Sequence, residues 1–209
     1  MKKLFLLMLA LLPVVAMAKR DDSKYLKRAE PEENGQVVFT KAFTVQGMND
    51  AEILKNITAW AEKLVEESIP APGNFARVMG SEDQSITVRV CQWLVFKNKP
   101  LYLDRARLRY QLTASVKDGL VTLRLSQLRY YYGENEDLAK NADIRAEEWI
   151  TDAEALNKAG TKLYPKSGKF RRKTVDYVQQ LVENCADACE KKVVQLQTTE
   201  MKRPHIKMQ

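Results

Sequence analysis

Histidine is almost missing from this chain: the 209 residues include one, His205, close to the C-terminus. That removes His-based nucleophile triads and His-rich metal sites, because both chemistries need imidazole as base or ligand. The patterns GxSxG, HExxH, GxGxxG and the phosphate-binding P-loop are absent too. Cysteine is scarce, with Cys91, Cys185 and Cys189 forming neither CxxC nor a zinc-like cluster. Carboxylates are plentiful, but nothing in the sequence marks an apolar pocket that would tune a pair of them. No catalytic residue, metal or cofactor is therefore assigned, and the balance is against an enzyme.

Long apolar runs are missing after residue 18, so no transmembrane segment is expected. The one such run, 4–15, follows Lys2 and Lys3 and precedes Ala16-Met17-Ala18. A short positive start, a short apolar stretch and a small-x-small end are the signature of a cleavable export signal. The sequence thus reads as a signal peptide over 1–18 and a soluble periplasmic or extracellular chain from Lys19. The competing reading, a buried N-terminal helix, explains the length but not the charge and the cleavage pattern. No cysteine adjoins the cleavage point, which argues against a lipid-anchored N-terminus.

Loss of Lys2 and Lys3 lowers the formal net charge from +7 to +5. That excess is modest, and an exported protein does not ordinarily meet nucleic acid, so nucleic acid is excluded as a partner. Three cysteines cannot all pair within one chain. Cys185 and Cys189, four apart in a helical pattern, are read as buried space-filling thiols. A bridge from Cys91 to either is the alternative.

Residues 19–35 are charged and poor in large apolar groups, and are read as a flexible arm. A single domain follows over 36–196, with a frayed basic tail at 197–209. Residues 36–45 alternate as a strand, with Lys41 the exception on the apolar side. Asn49 and Glu52 make a capping box before Ile53, Ile57, Trp60 and Leu64 at helical spacing. Strands are expected over 74–79, 85–96, 105–116 and 120–132, the last two joined by a turn at Lys117-Asp118-Gly119. In the last strand Val121, Leu123 and Leu125 keep one phase, whereas Leu128, Tyr130 and Tyr132 keep the other. A strand changes face only with an extra residue, so a β-bulge is predicted near Ser126–Gln127. The register then sets Val116 opposite Val121, Leu112 opposite Leu125, and Arg109 nearly opposite Arg129. Thr151 with Glu154 predicts a second capping box and a short helix to about residue 159. Pro165, Ser167 and Gly168 read as a loop, and a long amphipathic helix is expected over 174–195. This order, strand, helix, four antiparallel strands, helix, defines an α+β two-layer domain with helices on one face of the sheet.

Four stretches add a resemblance: Gln36-Val37-Val38-Phe39-Thr40-Lys41, Glu148-Trp149-Ile150-Thr151-Asp152, Ala155-Leu156-Asn157-Lys158 and Gly168-Lys169-Phe170-Arg171-Arg172-Lys173-Thr174. Over 36–194 the chain resembles a bacterial family of exported proteins catalogued as domain of unknown function 4468, with a TBP-like fold. The resemblance implies that fold. It implies no site, because shape does not carry DNA binding with it.

Charge distribution supplies the candidate sites. The predicted register gathers Arg107, Arg109, Arg124 and Arg129, with Tyr131, on the outer sheet face. Like charges opposed across strands are unfavourable, so something negative should lie there. The internal candidate is the 133–152 segment, with a formal charge of −5, folding across the basic face with Trp149 as an apolar anchor. The external candidate is an anionic glycan, a lipid head group or an acidic envelope protein held by arginine forks. Lys166, Lys169, Arg171, Arg172 and Lys173 form a further basic cluster, read as a solvated loop or a second anion contact. Three functions stay open: a non-enzymatic binding module of the periplasm or cell envelope, a carboxylate-based hydrolase or transferase, and a structural subunit of an envelope assembly.

Overall fold

The computed structural model describes residues 21–27, 29, 31–71, 73–79, 84–133 and 142–201, with side chains in the last helix described through Cys189. Residues 1–18, read above as a signal peptide, His205, and Glu134, Glu136, Asp137 and Lys140 lie outside the described residues.

Two short strands, β1 (Glu32–Glu33) and β2 (Gln36–Val37), form a hairpin whose turn residues Asn34 and Gly35 both have positive φ. β3 (Phe39–Thr44) follows, so the strand expected over 36–45 is broken at Val38, whose N–H turns aside to the Pro31 carbonyl. Helix α1 (Asp50–Glu66) starts at the predicted box: the Asn49 side chain accepts from the Glu52 N–H at 3.0 Å, and Glu52 accepts from the Asn49 N–H at 3.0 Å. Then come β4 (Phe75–Met79), β5 (Ser85–Lys99), β6 (Tyr102–Lys117) and β7 (Leu120–Tyr132), all antiparallel. The Asp118-Gly119 turn has positive φ at both residues, the geometry that matches strand twist in a two-residue hairpin. Asp50 ties α1 to that turn by accepting from both of its N–H groups, at 2.9 and 2.8 Å.

The sheet order is β3-β7-β6-β5-β4. A further strand, β8 (Ala142–Arg145), also pairs with β7. One edge of β7 thus serves two partners: β3 lies along residues 120–125 and β8 along 129–132. The predicted bulge falls between them. Register slips where Arg109 faces Arg129 and Gln111 faces Ser126, and Gln127 takes φ 55°. Val116–Val121, Ala114–Leu123, Leu112–Leu125 and Leu108–Tyr130 pair as the alternation requires.

Even-numbered side chains of β6, from Ala106 to Val116, are buried on one face. They pack with Ile86, Val88 and Val90 of β5 and with Ile53, Ile57 and Ala61 of α1. Helix α3 (Pro165–Met201) adds Phe170, Val178, Leu181, Cys185 and Cys189 to the same core. All three cysteines are buried, and none is joined in a disulfide. The result is an α+β fold with an antiparallel sheet and its helices packed on one face.

Three local expectations need correction. The long helix begins at Pro165, not residue 174, so Ser167 and Gly168 lie in its first turn. Proline suits that place because its missing N–H has no intrahelical partner there. Glycine is required at 168 because a Cβ would come within 2.8 Å of the Leu163 Cβ. The helix expected to residue 159 is only α2 (Asp152–Ala155), and its Thr151 hydroxyl donates to the Glu147 carbonyl instead of capping. The described residues of the arm, 21–27, 29 and 31–35, are not loose. Its Ser23–Tyr25 turn is fixed by Tyr25, which donates to Asp176 at 2.8 Å, and by Arg172, which grips Asp22 at 2.6 and 2.7 Å.

Candidate anion-binding groove

Odd-numbered residues of β6 face away from the helices. Arg105, Arg107, Arg109, Gln111, Thr113 and Ser115 therefore share a face with Arg89 of β5 and with Thr122, Arg124 and Ser126 of β7. Past the bulge the parity of β7 changes, and Arg129 and Tyr131 join this face where uninterrupted alternation would have put Leu128 and Tyr130. The added residue thus turns the side chain of Arg129 outward.

Arg109 faces Arg129 in the β6–β7 ladder, and Arg129 faces Arg145 in the β7–β8 ladder. Three guanidiniums stand in one cross-strand row. Arg89 faces Gln111 on the neighbouring strand, one step diagonal from Arg109. These four arginines, with Tyr131, Gln111, Gln127 and Glu147, line a concave groove of about 570 Å³. Like charges directly opposed across strands each cost a few tenths of a kcal/mol to about 1 kcal/mol.

The fold offsets part of that repulsion. Asp143 of β8 accepts two bonds from Arg129, at 3.0 and 2.8 Å, which keeps the guanidinium charged more firmly than usual. Arg145 donates to Glu148 at 2.8 Å, and bonds from its side chain and backbone hold the Glu148 carboxyl below the ordinary range. Arg109 lies over the Tyr131 ring at 5.8 Å, and Arg89 over Phe75 at 5.2 Å. Glu147, the lining carboxylate, accepts from the Val37 N–H at 2.8 Å. Cys91, opposite Arg109, is fully buried; burial pushes its thiol up, against the pull of Arg109 and Arg107. A thiol so held is a poor nucleophile.

The residues singled out from the sequence divide. Arg109, Arg129 and Tyr131 meet in the groove. Arg107 sits one step along β6 with its guanidinium 5.0 Å from the Trp93 ring, which also carries Arg105 at 3.7 Å. Arg124 is drawn to Glu33 of the β1–β2 hairpin at 2.9 Å. Trp149 is not on this face. It packs 4.4 Å from Phe170 and 6.5 Å from Tyr132, on the helix side of the sheet. The described part of the acidic segment extends the sheet edge as β8 instead of lying across the arginines.

The basic cluster before the last helix is also not a loop. Lys169 pairs with Asp104 at 2.7 Å and lies 4.5 Å over both Phe96 and Tyr132. Desolvation alone would lower its ammonium, but the bonds to Asp104 and Tyr132 outweigh it and raise the group above its usual value. Arg171 is wholly buried and donates to the carbonyls of Tyr25, Leu26 and Ile150 and to Asp152. It is an internal clamp, not a ligand contact.

Arg89, Arg145, Gln127 and Glu147 escaped the sequence reading. Arg89 was legible in the alternation of β5, as the outward partner of Val88 and Val90. Arg145 was not, because its place depends on a four-residue strand with no alternation of its own. Each described carboxylate of 142–152 is engaged: Asp143 by Arg129, Glu147 by Val37, Glu148 by Arg145 and Asp152 by Arg171. Among the described residues no cluster of His, Cys, Asp and Glu suits a metal ion, and no helix is long and apolar enough to cross a membrane.

An antiparallel sheet with helices on one face and a polar open face defines a TBP-like α+β protein. Residues 39–131 match the family model described as a domain of unknown function (DUF4468) with TBP-like fold. A crystal structure of a DUF4468 family protein from Bacteroides ovatus is similar at 36% identity and a TM-score of 0.74, over 82% of this chain and 96% of that one. The chain belongs to the DUF4468 family. A TBP-like protein from Parabacteroides distasonis shares the fold, with 22% identity and a TM-score of 0.59 over 77% of this chain and 97% of that one. None of the curated proteins compared matches the sequence.

Proposed function

We propose that this is an exported, non-enzymatic binding module that takes an anionic ligand in the groove on the open sheet face. The observation that carries the reading is the row Arg109–Arg129–Arg145, with Arg89 on its diagonal. Repulsion is built into the sheet there, and a bound anion would relieve it. Guanidinium forks recognise carboxylate, sulfate or phosphate groups in pairs, and Tyr131 offers a face for a sugar ring. A polyanionic envelope glycan satisfies both features and suits an exported chain. The carboxylates of 142–152 are occupied by neighbours, which weighs against their use as an acid–base pair.

Thermal shift tests this with pyrophosphate, citrate and oligogalacturonate at low salt. A ligand at a hundred times its Kd adds about 2.7 kcal/mol, a rise of roughly 5–10 °C for a chain of this size. Arg109→Ala/Arg129→Ala should lose that rise while keeping its own folded baseline. No shift with any of the three, or an equal shift in the double variant, refutes the groove. Export is checked separately, by N-terminal sequencing after secretion, with Lys19 expected as the first residue.

A further inference from the structure

The β5–β6 hairpin ends in a two-residue turn, Pro100-Leu101, closed by the pair Lys99–Tyr102. Leu101 has φ 66°, and a proline followed by a left-handed residue is the pattern of a type II turn. Glycine or asparagine fills that second position without strain; a leucine there is costly. Its side chain is fully exposed, Tyr102 and Leu103 beside it are 54% and 44% exposed, and Val95, three ladder pairs back, is 36% exposed. This end of the hairpin therefore holds four of the six exposed large apolar residues in the described part of the chain, three of them consecutive at the tip.

Among the described residues of the hairpin end, every exposed charge is positive. Lys97, Lys99 and Arg105 flank the apolar residues, with the Lys97 Nζ 6.0 Å from the Tyr102 ring. The acid of this stretch, Asp104, faces Lys97 across the ladder on the helix side of the sheet, is 7% exposed and is held by Lys169. A convex apolar knob with a cationic collar complements a surface that is apolar within and anionic at its rim.

We infer that the β5–β6 tip docks on an anionic phospholipid surface. Leu101, Tyr102 and Leu103 enter the headgroup layer, and Lys97, Lys99 and Arg105 meet the lipid phosphates. The site is separate from the groove. Arg107 and Arg105 continue the arginine line from Arg109 along β6 toward the tip, so the groove would open beside the same surface.

The test is cosedimentation of the chain from Lys19, which keeps every described residue. One set of vesicles is phosphatidylcholine and the other an equal mixture with phosphatidylglycerol, each at low and high salt. Binding to the anionic vesicles alone, weakened by salt, is expected. Leu101→Asp/Leu103→Asp and Lys97→Glu/Lys99→Glu should each lower the partition coefficient roughly tenfold. Leu101→Gly should lower it too, yet hold or raise the thermal midpoint, because the turn favours glycine there. A merely structural tip would not separate those two readouts. Absence of binding to anionic vesicles overturns the inference, as does unchanged binding by the Leu101/Leu103 variant. Binding lost only in Arg109→Ala/Arg129→Ala moves lipid contact to the groove and also overturns it. A dimer in light scattering that Leu101→Asp dissolves, without vesicle binding, makes the tip a contact between copies and sinks the lipid reading.

Discussion

One sheet, built from alternate residues of the same strands, carries two opposite chemistries. On the helix side, Tyr110 and Tyr177 share a hydrogen bond at 2.7 Å, Tyr130 and Thr174 another at 2.7 Å, and Lys169 reaches Asp104 at 2.7 Å. On the open side, guanidiniums are set in line and their ion pairs stay half in water: the Arg124 and Glu33 side chains are 45% and 46% exposed. The contact lengths barely differ. Arg171–Asp152 is 2.6 Å and Arg124–Glu33 is 2.9 Å, yet the Arg171 side chain has no exposure. Burial decides what each contact is worth, because water competes for an exposed pair and cannot rescue a buried one.

The comparison is broken most directly at Arg171. Arg171→Ala removes the donor to three carbonyls and a carboxylate, and should cost about 3–5 kcal/mol in urea unfolding. Arg171→Lys should recover little, since one ammonium cannot span the fork. A loss under about 1 kcal/mol would show that the N-terminal arm is not anchored there.

A middle-sized effect is expected at the tyrosine pair. Tyr110→Phe leaves the half-buried Tyr177 hydroxyl without its partner, at about 1–2 kcal/mol. Adding Tyr177→Phe should cost less than the sum, because the orphan is then gone. The same groups set the alkaline limit. Burial raises the phenols of Tyr110, Tyr130 and Tyr177 above their usual value. Their contribution is complete below about pH 10, where the unfolded phenols are also protonated. It is lost as pH climbs, because the unfolded chain releases protons that the folded chain keeps. The unfolding midpoint should be level from about pH 8 and fall above about pH 10, less steeply in the double Phe variant. A curve equally steep in both would take the effect away from this pair.

The smallest effect belongs to the open face. Arg124→Ala should change stability by less than about 0.5 kcal/mol. A loss near that of Arg171→Ala would abolish the contrast between the faces.

Much of this was legible in the residues. The change of phase between Leu125 and Leu128 announced the bulge, because a strand cannot move its apolar set to the other face without an inserted residue. Asn49 and Glu52 announced the start of α1. Thr151 and Glu154 offered the same pattern and did not form it, since the Thr151 hydroxyl found the Glu147 carbonyl. The run from Pro165 to Lys173 looked like a solvated loop, because its positive charges oppose a helix N-terminus. Asp104, Asp152 and Asp22 answer Lys169, Arg171 and Arg172, but they come from β6, the α2 start and the arm, none of them near in sequence. The arm itself looked loose because its order is supplied by Arg171, about 150 residues away.

By itself the sequence determined which side chains share a face. Alternation along a strand is local geometry, fixed by the backbone of each residue and its neighbours. It placed Arg107, Arg109 and Arg129 outward and their apolar neighbours under the helices. Only the tertiary structure decided which strands lie beside one another. It brought β8 along the free half of β7, set Arg145 opposite Arg129, and drew Trp149 away to Phe170. Those pairings depend on surfaces buried between distant segments, and no local pattern in 142–152 specifies them.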